Sequence, residues 1–197
     1  ICTAQVLLAV VASMYAVYHG PQGIRRIAER VHSLAATLAR GLSRLGVTVR
    51  HEAFFDTLRV EGSSHAVESW LAAAVARRIN LRRLAEGALG IALDETTREA
   101  EVEELLVVFG GAAGIKLDTL AVEATTTLPD FARRTSAFLT HPVFNSYHSE
   151  TEMLRYMKTL EGRDLSLTHS MIPLGSCTMK LNATAEMLPV TWPAFGR

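Results

Sequence analysis

His169-Ser170-Met171-Ile172-Pro173-Leu174-Gly175-Ser176-Cys177-Thr178-Met179-Lys180-Leu181-Asn182 has neither the period of a helix nor the alternation of a strand. It crowds Gly, Ser, Cys, Thr, Lys and Asn into one loop, and loops rich in small hydrogen-bonding groups tend to hold something. Short hydroxyls and backbone amides beside a glycine suit an anion, either a carboxylate or a phosphate. The competing reading is that Ser176, Thr178 and Asn182 only cap a turn. Cys177 has no His beside it, so plain packing competes with substrate contact for that thiol.

The rest of the chain supplies the frame for this loop. Val6, Leu7, Val10, Val11, Met14 and Val17 fill nearly the whole circumference of a helix from about Ala4 to Tyr18, which predicts burial of that helix and of Cys2 at its start. Gly20-Pro21 should break it. A second helix follows, with Ile24, Ile27, Val31, Leu34, Leu38, Leu42 and Leu45 in one stripe and arginines opposite. Gly46 stands where a left-handed C-terminal cap belongs.

Short strands are expected at Val47–Val49 and Thr57–Val60, then a helix from His65 to Ile79. Leu81–Leu84 and Leu89–Leu93 flank a hairpin turn at Ala85-Glu86-Gly87. Thr96 and Glu99 have capping-box spacing, ahead of a helix that should bury Val102, Leu105, Leu106 and Phe109. Two helices and a small sheet behind a long connecting helix make an α+β layout.

From Gly110 to Pro142 the chain reads as a linker, with Thr125-Thr126-Thr127-Leu128-Pro129 as its most turn-rich part. His141-Pro142 forces an extended residue before the proline. His141, Asn145, Tyr147 and His148 gather polar groups near that bend, either as the wall of a cleft or as hydrogen bonds across an interface. Glu150 to Leu160 forms one more helix, whose Glu150, Glu152 and Arg155 have ion-pair spacing.

Composition narrows the class. Twenty basic and twenty acidic residues cancel, so the basic excess that nucleic acid or a membrane surface requires is missing. Two cysteines are too few for a disulfide framework, and no CxxC or HxxxH spacing marks a metal site. The apolar stretch from Val6 to Val17 falls short of the roughly 20 residues of a membrane span.

Several blocks resemble one known family. Gly175-Ser176-Cys177-Thr178-Met179-Lys180 matches the GSCTMK segment of the glycine cleavage system P-protein, a pyridoxal-phosphate-dependent glycine decarboxylase. Ala183 to Pro193 resembles the family's following stretch. Tyr147 to Met157, Ile1 to Ala9 and Tyr15 to Pro21 resemble further family signatures, all in the family's order.

The resemblance implies an internal piece of a longer enzyme made of two aminotransferase-like (fold type I) halves. Residues 1–115 would be the small C-terminal domain of the first half with its connecting helices. Residues 116–140 would be the linker, and 141–197 the opening of the second, cofactor-binding half. The Schiff-base lysine would lie beyond this chain, because none of Lys116, Lys158 and Lys180 sits in a sequence like the family's lysine loop. Catalytic residues are then absent here, and Ser176, Cys177, Thr178 and Asn182 are the candidates for the pocket of glycine and pyridoxal 5'-phosphate.

The family's cofactor ring takes up the electrons freed as the glycine carboxylate leaves. The remaining aminomethyl group passes to the lipoyl arm of H-protein. Implied partners are therefore glycine, H-protein, the second half of the enzyme and a second copy in a homodimer. The implied compartment is the bacterial cytoplasm, or the mitochondrion in a eukaryote. The alternative is a non-catalytic scaffold or interaction module derived from such a half.

Overall fold

The computed structural model describes residues 3–85, 87–112, 116–124, 128–163 and 184–196. They fall into two compact units, Ile1–His148 and Ser149–Arg197.

The first unit is built on α1 (Thr3–Arg44), whose one interruption is Gly20 at φ 61° and ψ −178°. The Gly-Pro break is there, but the chain turns helical again at once. Pro21 opens the second arm, where its missing amide hydrogen has no helical partner to lose. The second arm buries Leu34, Leu38 and Leu42 with Ala35 and Ala39 between them. Gly46 (φ 77°) ends it as expected. The Val47 amide donates to the Leu42 carbonyl at 3.0 Å and the Gly46 amide to that of Ser43 at 3.1 Å, the paired bonds of a Schellman cap.

The first arm departs from expectation. Val6, Leu7, Leu8, Val10 and Val11 are 49–68% exposed, although Val17 at the far end is buried. A helix that is apolar all round needs cover on every side. The sheet and helices of this unit pack against the second arm.

Four short strands form one antiparallel sheet in the order β1 (Thr48–Val49), β2 (Thr57–Glu61), β4 (Ala88–Ala92), β3 (Arg82–Ala85). Leu58 lies opposite Ile91 and Val60 opposite Leu89, so the register puts four large apolar side chains into the core. The hairpin pairs β3 with β4 where the sequence places it. Helices α2 (Ser64–Ala76) and α3 (Glu99–Val108) complete the α+β layer, with Val67, Ala74, Val102, Leu105 and Leu106 buried. The Ser63 hydroxyl caps α2 by accepting from the Ala66 amide at 3.2 Å.

The cap of α3 is displaced from its expected place. Asp94 accepts from the Thr96 and Thr97 amides at 2.9 and 3.1 Å, which makes Thr96 part of an Asx turn. Glu101 reaches back instead, accepting from the Arg98 amide at 2.7 Å.

The segment after Gly110 contains a further helix, α4 (Leu117–Glu123). Leu117 and Leu120 are buried in the core cluster. The Glu123 carboxylate accepts from Arg40 at 2.9 and 3.1 Å and from Arg44. Gly41 makes this docking close. A Cβ there would stand 2.5 Å from Leu106 Cδ2 and 3.2 Å from Leu120 Cδ1.

The second unit contains α5 (Glu150–Glu161) and the short helices α6 (Thr184–Met187) and α7 (Pro193–Gly196). Ser149 and Glu152 form a reciprocal capping box on α5, with the Ser149 hydroxyl accepting from the Glu152 amide at 3.3 Å and Glu152 from the Ser149 amide at 3.2 Å. Glu152, read as an ion-pair member, thus directs a carboxylate oxygen at the helix start.

Candidate functional site

Ser176, Cys177, Thr178 and Asn182 lie outside the described residues, as do Lys180 and Cys2. The functional geometry on view is the bend of α1 and the segment that returns to it.

That segment is short and internally braced. His141 precedes a 3-10 turn, Pro142–Asn145, and its Nδ1 accepts from the Val143 amide at 3.2 Å. The Asn145 side-chain amide donates to the carbonyls of Leu139 and His141, both at 3.2 Å. Leu139 holds a left-handed φ of 50°, uncommon for a bulky residue and sustained only by surrounding bonds. These residues are the polar cluster near the proline bend. In this unit their bonds fasten the 139–148 segment to itself and to α1.

The contact with α1 falls at the kink. His148 Nδ1–H donates to the Tyr18 carbonyl at 2.8 Å. A carbonyl can only accept, so the proton belongs to the imidazole. Gly20 has no room for a side chain, since a Cβ would stand 2.6 Å from the Phe144 carbonyl oxygen and 2.8 Å from His148 Cε1. The break in the helix and the strap over it are one structural device: the glycine bends the helix and allows the close approach.

A cleft of about 360 Å³ lies beside this contact, between Tyr18, His19, Gln22, Gly23, Arg26 and His148. His19 is fixed by aromatic contact with Tyr15 at 4.4 Å and Tyr18 at 5.2 Å between ring centroids. Among the described residues the lining offers hydrogen-bond donors, with no carboxylate and no nucleophile paired with a base.

Lys116 is exposed ahead of α4, and Lys158 forms an exposed pair with Glu161 at 2.7 Å. Among the described residues no group of three His, Cys, Asp or Glu side chains could hold a metal ion. Nor is any described helix long and apolar enough to cross a membrane. Sequence reasoning missed the Tyr18–His148 bond, because the two residues are 130 positions apart. It also missed α4, whose Leu117-x-x-Leu120 spacing and Asp118 in the first turn are modest signals inside a segment bounded by glycines and threonines.

The described residues make an α+β layer on a bent helix that is strapped at its bend, with Lys116 and Lys158 in solvent. The family model for the glycine cleavage system P-protein matches residues 1–109, and the chain belongs to that family. It is 54% identical to the glycine dehydrogenase (decarboxylating) of Paraburkholderia xenovorans, with all of this chain and 21% of that relative aligned. The proteins of the same name from Vibrio cholerae and Nostoc punctiforme are 57% and 56% identical, again over the whole chain and over 20% and 21% of the relatives. The chain therefore spans about a fifth of the length of these curated relatives.

Proposed function

We propose that this chain is the junction region of a pyridoxal-phosphate-dependent glycine decarboxylase. That enzyme would release CO2 from glycine and pass the aminomethyl group to the lipoyl arm of H-protein. The observation that carries this reading is identity of 54–57% along the whole chain to proteins named glycine dehydrogenase (decarboxylating). In this reading residues 1–115 are the small domain of a fold type I half, 116–140 connect, and 141–197 open the second half. Ser176, Cys177, Thr178 and Asn182 face the pocket, the enzyme works as a homodimer, and its compartment is the bacterial cytoplasm.

The described residues do not offer the cofactor a covalent anchor. A Schiff-base lysine needs a desolvated site facing the ring, and both Lys116 and Lys158 are exposed. No reaction step is assigned to them. The role of the first unit is mechanical: the sheet and helices hold the second arm of α1, and the strap ties residues 139–148 to its kink. The exposed apolar first arm supports the same reading. Five large aliphatic side chains within residues 6–11 point around the whole helix, as in an element enclosed by a larger protein.

The test is CO2 release from glycine by the full-length enzyme, supplied with pyridoxal phosphate and lipoyl-bearing H-protein. Release that needs both supports the assignment. A full-length protein that binds the cofactor yet leaves glycine intact overturns it.

A further inference from the structure

A cleft of about 790 Å³ opens between the second arm of α1 and residues 128–138. That volume lies within the roughly 300–1,000 Å³ of small-molecule sites. Arg25 and Glu29 line it from the helix, Arg133, Arg134 and Phe138 from the segment, and Phe55 from the loop ahead of β2. Three arginines against one glutamate leave two positive charges uncompensated among the described lining residues.

These arginines are poorly answered within the chain. Arg25 has no hydrogen-bond or ion-pair partner among the described residues. Arg133 stands 3.8 Å from Asp130, a loose pair with both side chains in solvent, and such pairs contribute little. Arg134 is the one held in place. Its guanidinium carbon lies 5.4 Å from the centroid of the Phe138 ring, a cation–π contact, and its Nη1 donates to the Ser136 hydroxyl at 3.3 Å.

Phe55 is held as well. Its carbonyl accepts from Nδ1 of the buried His32 at 2.8 Å, and its ring lies 3° from parallel to the imidazole with centroids 5.7 Å apart. The ring so fixed is still 42% exposed. Apolar surface left open and rimmed by charge marks a binding groove.

We propose that this cleft binds a phosphate monoester that carries an aromatic ring. The phosphoryl oxygens pair with the three arginines, and the ring rests on Phe55 and Phe138. The two uncompensated charges select the headgroup. A phosphate monoester carries about −1.5 to −2 at neutral pH and has three acceptor oxygens, which guanidinium forks match in geometry. A carboxylate brings one charge and leaves an arginine unanswered. Inorganic phosphate answers the charge and leaves the aromatic surface bare. Glu29 opposes any anion, so it weakens the site for longer polyphosphates. None of these contacts depends on the decarboxylase reading.

Calorimetric titration of the 197-residue chain at low salt tests the site. The probes are phenyl phosphate and adenosine 5'-monophosphate, with benzoate and inorganic phosphate for comparison. Neither ester has an aldehyde that could react with a lysine. At least one ester should bind about tenfold more tightly than benzoate or inorganic phosphate, and the tighter of the two tells an aryl ester from a nucleotide. Arg25→Gln and Arg134→Gln should each weaken that ester about tenfold, the effect of one hydrogen bond to a charged group. Glu29→Gln should tighten it, because an opposing charge is gone. A gain at Glu29 and a loss at Arg25, one turn apart on the same helix, cannot both come from unfolding. Failure of both esters to bind, equal affinity for benzoate or inorganic phosphate, indifference to the arginine variants, or weaker binding by Glu29→Gln would overturn the proposal.

Discussion

His148 Nδ1 stands 2.8 Å from the Tyr18 carbonyl, two residues before the glycine that bends α1. At Gly20 the backbone leaves helical geometry, and the imidazole supplies a donor next to that break. The bond joins residues 130 positions apart. Through it, the position of the 139–148 segment is set by the helix.

Gly20→Ala should therefore be costly. At φ 61° and ψ −178° the backbone sits in a region used almost only by glycine, which costs an L-residue about 1–3 kcal/mol, and the new methyl would meet the Phe144 carbonyl oxygen at 2.6 Å. His148→Ala removes the exposed hydrogen bond to the Tyr18 carbonyl, and loss of that bond should cost less, about 0.5–1.5 kcal/mol. Denaturant unfolding of both variants gives the order. A harmless Gly20→Ala would mean that the strap does not close on the kink.

Truncations along α1 should separate its two arms. Leu38 is fully buried, and Leu38→Ala should destabilise the first unit by about 2–5 kcal/mol. Leu8 is 68% exposed, and Leu8→Ala should change stability by no more than about 0.5 kcal/mol. Equal losses would place the first arm in the same core as the second.

The second arm was readable because its stripe repeats with helical period for more than 20 residues, from Ile24 to Leu45. The hairpin was readable because two apolar runs flank a tight turn at Gly87. Burial of the first arm was expected from composition, but periodicity reports which residues seek cover and says nothing of what covers them. Arg40 and Arg44 read as a solvent face because their partner, Glu123, comes some 80 residues later. Nothing in the sequence singles out His32. Its contacts with Phe55 join residues 23 positions apart, which no spacing rule reveals. The pocket candidates at 176–182 rest on sequence alone.

Acid should loosen α4. The Arg40 hydrogen bond, with help from Arg44, holds the Glu123 carboxyl below the ordinary glutamate range. A folded-state carboxyl that gives up its proton more readily than the unfolded one stabilises the fold at neutral pH, and that contribution fades as pH falls through the acid range. The site is solvent-exposed, so the effect is small and screened by salt. Melting temperature against pH should fall more steeply towards acid for the parent than for Glu123→Gln. Parallel profiles would mean the pair does not hold the helix.

Thr178→Val in the full-length enzyme bears on the pocket assignment. The substitution removes a hydroxyl and keeps the side chain's shape. If that hydroxyl meets the substrate carboxylate, glycine turnover should lose about 1.5–3 kcal/mol of transition-state stabilisation, while the melting temperature moves far less. Turnover that stays at the parent level, or falls only in step with melting, would make the loop a scaffold.

Gly41 lies beneath leucines from two helices, Leu106 of α3 and Leu120 of α4. A bare backbone patch of this kind works as a socket: it sets where each helix seats by shape, whatever the length of chain between them. A methyl group at position 41 would press hardest on Leu106, at 2.5 Å, and less on Leu120, at 3.2 Å, so the side chain from α3 would have to yield before the one from α4.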